Sequence, residues 1–333
     1  MKLRPLDQQT IVITGGSSGI GLATARLAAE RGANVVIIAR SEDGLEAAAA
    51  PIRAEGWRCD TIVADVGSRE DVAAAVEEVI GRHGGFDTFV SNAGVGAYAL
   101  LEEISDTDHR QVFATNYWGT VHCATEALPH LKAHGGALIV TGSIASDMPS
   151  PVLSAYAASK HAVKGYVDSL RLELMHEKAP VSVSLIQPSG INTPFVDKAL
   201  NQMKARAMIP PPIYSPDLVA EAILHAATRP TRDMIVGGGG RAMTLLARAL
   251  PNLADRVFQY AFFSTAIDKD KPPQDSSVKG FHSGGGEGKV YGVLPMRQTS
   301  LYTFARRKPA AALAGAVIAA GAAGALAAAL RRR

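Results

Sequence analysis

Short β-branched runs alternate with longer Ala/Leu-rich stretches along most of this chain, and that alternation restricts its fold more than any other feature. The runs are "TIVITGG", "ANVVIIAR", "DTIVADV", "FDTFVSNAG", "GALIVTGS", "VSVSLIQP" and "DMIVGG". Helical stretches separate them, among them Ile20 to Arg31, Asp71 to Arg82, Asp108 to Ala133 and Ser154 to Glu177. Strands that are apolar along their whole length are covered on both faces, and intervening helices imply crossover connections and a parallel sheet. The expectation is an α/β, doubly wound Rossmann-like domain over residues 1–240.

Beyond residue 240 the pattern changes. Residues 241–308 read as a helical extension, broken at Pro251, followed by a Gly/Pro-rich linker around "KDKPPQDSSVKGFHSGGGEGKVYG". Residues 309–333 form a candidate membrane-anchoring helix, because 310–330 carry no charged or polar side chain. About 20 such residues are enough to span a bilayer. Alanine dominates the run and basic clusters flank both ends, so an associating soluble helix is the alternative. A net charge of +3 without a basic, aromatic-laced stripe gives no reason to expect nucleic acid. The two cysteines, Cys59 and Cys123, are too few for a disulfide framework or a cysteine zinc site. The histidines show no metal-ligand pairing, so no metal is expected.

The turn "TGGSSGIG" follows the first strand and opens a helix. Gly15, Gly19 and Gly21 let the backbone turn sharply and approach a pyrophosphate, whose charge rests on the helix N-terminus. The second strand ends at Ala39-Arg40-Ser41 rather than at an acidic residue. A carboxylate there would accept from a ribose 2′-hydroxyl, whereas a guanidinium can hold a 2′-phosphate, so NADP(H) is favoured over NAD(H). Tyr156 and Lys160 stand four apart at a helix start, on one face.

Taken in order, these motifs resemble the short-chain dehydrogenase/reductase family. The resemblance is carried by Thr14-Gly15-x-x-x-Gly19-x-Gly21, Asp65-Val66, Asn92-Ala93-Gly94, Asn116, Ser143 and Tyr156-x-x-x-Lys160. In "PSGINT", Pro188 and Thr193 keep the places of the family's Pro-Gly motif, while Ser189 stands where glycine is usual. The resemblance implies an enzyme interconverting an alcohol and a carbonyl, with Asn116, Ser143, Tyr156 and Lys160 catalytic. It also implies that Gly15, Ser17, Ser18, Gly19, Ile20, Gly21, Arg40, Asp65, Val66, Asn92, Ala93, Gly94, Tyr156, Lys160, Pro188, Ile191 and Thr193 hold the dinucleotide.

In that reading Tyr156 donates or accepts the proton and Ser143 orients the substrate oxygen. An ammonium ~4 Å from the phenol contributes ~4 kcal/mol at an effective dielectric of ~20. That is enough to bring a phenol down from ~10 by about three pH units. The segment "FVDKALNQMKARAMIPPPIY" follows, with Phe195, Leu200, Met203, Met208 and Ile209 as apolar contributors to a substrate site. A lipophilic alcohol or ketone, of steroid, retinoid or fatty-acyl type, is the expected small-molecule partner. The helices from Asp108 and Ser154 resemble those through which family members form homodimers or homotetramers. The expected location is at a membrane with the catalytic domain in the cytoplasm, the alternative being soluble and cytoplasmic. Rival readings are a soluble reductase of small carbonyls and a catalytically silent nucleotide-binding scaffold.

Overall fold

Consecutive residues of a strand face opposite sides, so a strand apolar throughout feeds two cores at once. The computed structural model describes residues 2–273 and 286–314. It shows a seven-stranded parallel sheet. The strands are β1 (Thr10–Thr14), β2 (Asn34–Ala39), β3 (Cys59–Val63), β4 (Thr88–Ser91), β5 (Gly136–Thr141), β6 (Val181–Pro188) and β7 (Asp233–Val236). Their spatial order is β3-β2-β1-β4-β5-β6-β7, with Ile13 lying between Ile37 and Val90. The order reverses between β1 and β4, and in open α/β sheets ligands bind at such a switch point, beyond the strands' carboxyl ends.

The helices that follow are α1 (Gly19–Glu30), α2 (Glu42–Ala54), α3 (Arg69–His83), α4 (Asp106–Phe113), α5 (Gly119–His134), α6 (Ser154–His176) and α7 (Pro216–Thr228), and all but α4, which packs on α6, cover the sheet. On one face Ile11, Ile13, Val35 and Ile37 pack with Leu22, Leu45 and Val219 of α1, α2 and α7. On the other, Val12, Val36, Phe89 and Leu138 pack with Val76, Leu131 and Val163 of α3, α5 and α6. Serine hydroxyls cap four of these helices, with Ser41, Ser68, Ser105 and Ser215 accepting from backbone N–H groups in the first turn. Each such cap contributes roughly 1 kcal/mol.

The helix expected over Asp108–Ala133 is interrupted by a π-helical turn at Ala114–Trp118. Asn116 lies in that turn and bonds the Val95 backbone in both directions: its Oδ1 accepts from Val95 N (2.8 Å) and its Nδ2 donates to Val95 O (3.0 Å).

After β7 the chain forms α8 (Gly238–Ala249) and α9 (Pro251–Thr265), split at Pro251 as the sequence suggests. These helices do not form a separate lobe, because Phe258 and Phe262 pack with Tyr98, Met148 and Leu153 beside the site. The segment read as a linker divides in two. Residues 274–285 lie outside the described residues, whereas Val290 is buried with the α1–α2 core and α10 (Leu301–Arg307) lies against β7. Among the described residues no helix is long and apolar enough to cross a membrane. Residues 315–333, most of the candidate anchor, lie outside the described residues.

Candidate active site

Two clefts open beyond the carboxyl ends of the strands and share Ile20, Asn92, Gly94, Thr193 and Phe195 along their common boundary. One is lined by the glycine turn and the other by the catalytic candidates. The glycine turn needs its glycines for distinct reasons. Gly15 has φ +66°, a region that favours glycine. At Gly21 an added Cβ would stand 2.2 Å from the Gly15 carbonyl oxygen, so only glycine lets α1 start this close to β1. Thr14 ties the turn to the next strand: its Oγ1 accepts from Asn92 N (3.0 Å) and Ala93 N (3.2 Å), and Asn92 Nδ2 donates to Thr14 O (3.0 Å).

This first cleft measures about 1420 Å³, counting space open to solvent. It brings together Gly15, Ser17, Ser18, Gly19, Ile20, Arg40, Asp65, Val66, Asn92, Ala93, Gly94 and Thr193, all from the set expected to hold a dinucleotide. Gly21 is buried behind the turn and does not line it. Among the lining residues that motif reasoning missed, the polar ones are Ser41, Thr115, Lys198 and Glu287. Lys198 Nζ donates to Ser18 Oγ at 3.1 Å, and Arg40 approaches Asp65 at 4.0 Å. Backbone N–H groups at a helix start, with Arg40 and Lys198 nearby, fit a dinucleotide's phosphates.

The second cleft holds Ser143, Tyr156, Lys160, Pro188 and Ile191. Ser143 lies two residues past β5, where its Oγ accepts from Ala145 N (3.1 Å) and caps a 3₁₀ turn. Gln187 and Asp147 support that turn from behind. Gln187 Nε2 donates to Asp147 Oδ2 (2.5 Å) and to Ser143 O (3.4 Å), and Lys164 pairs with Asp147. Burial would raise the Asp147 carboxyl, but hydrogen bonds from Lys164 and Gln187 outweigh it and hold Asp147 below the usual carboxylate range.

One turn apart on α6, Tyr156 and Lys160 lie as the i,i+4 spacing requires. Lys160 Nζ is 5.8 Å from the Tyr156 ring centroid and donates to Thr141 O at 2.9 Å. The electrostatics differ from the acidified phenol that the spacing suggests. Burial pushes Tyr156 up, and a hydrogen bond with Ser143 acts in the opposite sense. Burial also pushes Lys160 down to about 8. Desolvation penalises the charged form of each partner and is the leading cause of the shift at both.

Asn116 does not line either cleft. It sits behind the lysine: an added Cβ at Gly94 would lie 3.3 Å from Asn116 Oδ1 and 3.7 Å from Lys160 Nζ. Its Nδ2 also donates to Ser159 Oγ at 3.0 Å, so it braces the loop above the lysine. Ser189, in the usual glycine position, is accommodated because its hydroxyl donates to Val236 O at 2.6 Å and its φ is not positive. Of the apolar residues expected around a substrate, Phe195 and Ile209 line the cleft, whereas Leu200, Met203 and Met208 do not. Leu200 packs against Ala97 instead, since its segment pairs with residues 97–98. Met148, Leu153, Met243 and Phe262 supply apolar wall in their place. Thr141 Oγ1 is buried beside this cleft without a hydrogen-bond partner, an orphan that a bound polar group would satisfy.

A family model described as short chain dehydrogenase matches residues 9–204. The chain is 40% identical over 329 residues to "Uncharacterized oxidoreductase YxnA" of Bacillus subtilis (strain 168), covering 95% of this chain and 91% of that protein. It is 30% identical to 11-beta-hydroxysteroid dehydrogenase A of Sesamum indicum, covering 79% of this chain and 78% of the relative. Among solved structures, an alcohol dehydrogenase from the archaeon Thermococcus sibiricus complexed with 5-hydroxy-NADP matches with a TM-score of 0.60 and 29% identity, covering 68% of this chain and 95% of that one. A Burkholderia phymatum short chain dehydrogenase/reductase in complex with NAD has the same fold, with a TM-score of 0.68 and 24% identity over 75% of this chain and 96% of that one.

Proposed function

The chain belongs to the short-chain dehydrogenase family of NAD(P)-dependent oxidoreductases acting on alcohols and carbonyls, and we propose that it uses NADP(H) on a lipophilic substrate of steroid, retinoid or fatty-acyl type. The observation that carries this reading is the convergence of Ser143, Tyr156 and Lys160 in a largely apolar cleft continuous with the glycine-turn cleft. When bound, the nicotinamide supplies the hydride for reduction and receives it in oxidation. The chain's own residues handle the substrate oxygen and its proton.

For reduction, negative charge develops on the carbonyl oxygen and must be met by a donor. Tyr156 Oη gives its proton to that oxygen, and oxidation runs the same transfer backwards. A phenol raised by burial stays protonated near neutrality, which suits the reductive direction. Ser143 donates to the same oxygen and holds it within reach of Tyr156. Lys160, while charged, offsets phenolate formation, and its bond to Thr141 O fixes its place. Asn116 acts through the loop that carries Val95 rather than on the substrate.

Arg40 at the end of β2 supports NADP(H), since it can pair with a 2′-phosphate. The walls supplied by Met148, Leu153, Phe195, Met243 and Phe262 support a lipophilic substrate. The name borne by the Sesamum indicum relative agrees with a steroid-like shape. Assembly as a homodimer or homotetramer, and membrane attachment through residues 310–330, rest on sequence alone. Sedimentation of the full chain, with and without carbonate-washed membranes, tests both. The functional reading is tested by a panel of steroid, retinoid and long-chain ketones with NADPH or NADH, followed by nicotinamide absorbance. Turnover confined to short polar ketones, or faster with NADH, contradicts it.

A further inference from the structure

The glycine turn is held from outside by a segment far away in sequence. Gly288 N–H donates to Ser17 O (2.9 Å), and Gly19 N–H donates to Lys289 O (2.9 Å). Lys289 N–H returns to Gly286 O at 3.1 Å, so residues 286–289 form a tight turn. Val290 then enters the core. Asn192 clamps the next residues: its Nδ2 donates to Leu294 O (2.7 Å), and its Oδ1 accepts from Leu294 N (3.1 Å). These contacts fix the segment as a strap across the first cleft.

The strap delivers a carboxylate to that cleft. Glu287 lines it together with Arg40, Ser41 and Lys198. An added Cβ at Gly44 would stand 2.7 Å from Glu287 Cγ, so the Glu287 stem rests on the first turn of α2. Ser41 caps that turn by accepting from Gly44 N at 3.0 Å. A helix start favours an anion. This helix start follows directly on Arg40, the residue read as the partner of a 2′-phosphate. Lys198 lies close enough to feel Glu287 and Arg40 with opposite signs.

We propose that Glu287 is a specificity-determining residue of the dinucleotide site, set by the strap so that its carboxylate opposes a 2′-phosphate and moderates the preference that Arg40 and Lys198 create. The inference rests on the dinucleotide reading and refines it. It places in one cleft two cations that favour a 2′-phosphate and, besides Asp65 beside Arg40, a second anion that disfavours it. The balance between NADP(H) and NAD(H) is therefore set by residues from three distant parts of the chain.

Calorimetric titration of the full-length protein with 2′,5′-ADP and with 5′-AMP reads the 2′ position alone. Glu287→Gln is expected to tighten 2′,5′-ADP about fivefold and leave 5′-AMP within about twofold, with Glu287→Lys shifting the ratio further. Equal changes for both nucleotides, or no change for either, overturn the inference. NADPH and NADH titrated against the wild type separate the two levels. A wild type that binds neither overturns the dinucleotide reading and this inference together. One that binds both, with an unaltered 2′,5′-ADP to 5′-AMP ratio in both variants, overturns this inference alone.

Discussion

At the catalytic end of the cleft Lys160 is only 4% exposed and Tyr156 is packed against Phe195. At the glycine-turn end the side chains of Arg40 and Asp65 are 36% and 38% exposed. The same kinds of groups therefore behave differently. Where water is excluded, burial dominates, lifting the phenol and lowering the ammonium. Where water enters, charges are screened, and the role proposed for them is to select the ligand's sign rather than to drive proton transfer. Substitutions at the buried end should cost turnover, and those at the open end should redistribute cofactor preference.

The largest effect belongs to the buried end. Lys160→Met should lower kcat about 10³-fold by removing the charge beside the phenol, as steady-state kinetics would show. A loss confined to KM for the dinucleotide would make Lys160 a cofactor anchor only. Next, Ser143→Ala should lower kcat about 10²-fold with little change in dinucleotide affinity. A change in substrate KM alone would remove Ser143 from the reacting centre. At the open end, Arg40→Asp should weaken NADPH about 30-fold in fluorescence titrations and leave NADH within about threefold. An unchanged NADPH to NADH ratio would erase the contrast between the two ends.

The smallest effect is on pH, and its sign follows from burial. Lys160 is pushed from 10.5 to about 8, so its ammonium is present below about 8 and lost above it. Carbonyl reduction should therefore decline as pH rises through that value, and Lys160→Met should lack this inflection. Stability runs the other way. The unfolded chain binds the lysine proton up to higher pH than the folded one does, so this group makes the fold more stable as pH rises from about 8 to 10.5. Activity and melting temperature moving together across this window would contradict the assignment.

The parallel sheet was readable from the apolar runs because period and length are local properties. Tyr156, Lys160 and Ser143 were readable because helix spacing and a strand end place them with little help from the rest of the chain. Lys198 and Glu287 were not. Lys198 meets Ser18 across 180 positions, and Glu287 arrives on a strap that composition alone assigns to a linker. No periodicity marks such contacts. The apolar wall from Met243 and Phe262 was missed for the same reason, since α8 and α9 fold back from beyond the motif-bearing region. Burial opposes the acidity that spacing suggests for Tyr156, because spacing reveals how close two charges are and not how much water each has lost.

One measurement bears most directly on the central claim that Tyr156, beside a bound dinucleotide, carries the proton. Tyr156→Phe should be titrated with NADPH by fluorescence and then assayed in the same sample against the best ketone of the panel. NADPH affinity should stay within about threefold of wild type while turnover falls about 10³-fold. A folded, NADPH-loaded Tyr156→Phe protein that turns over at the wild-type rate would contradict the claim.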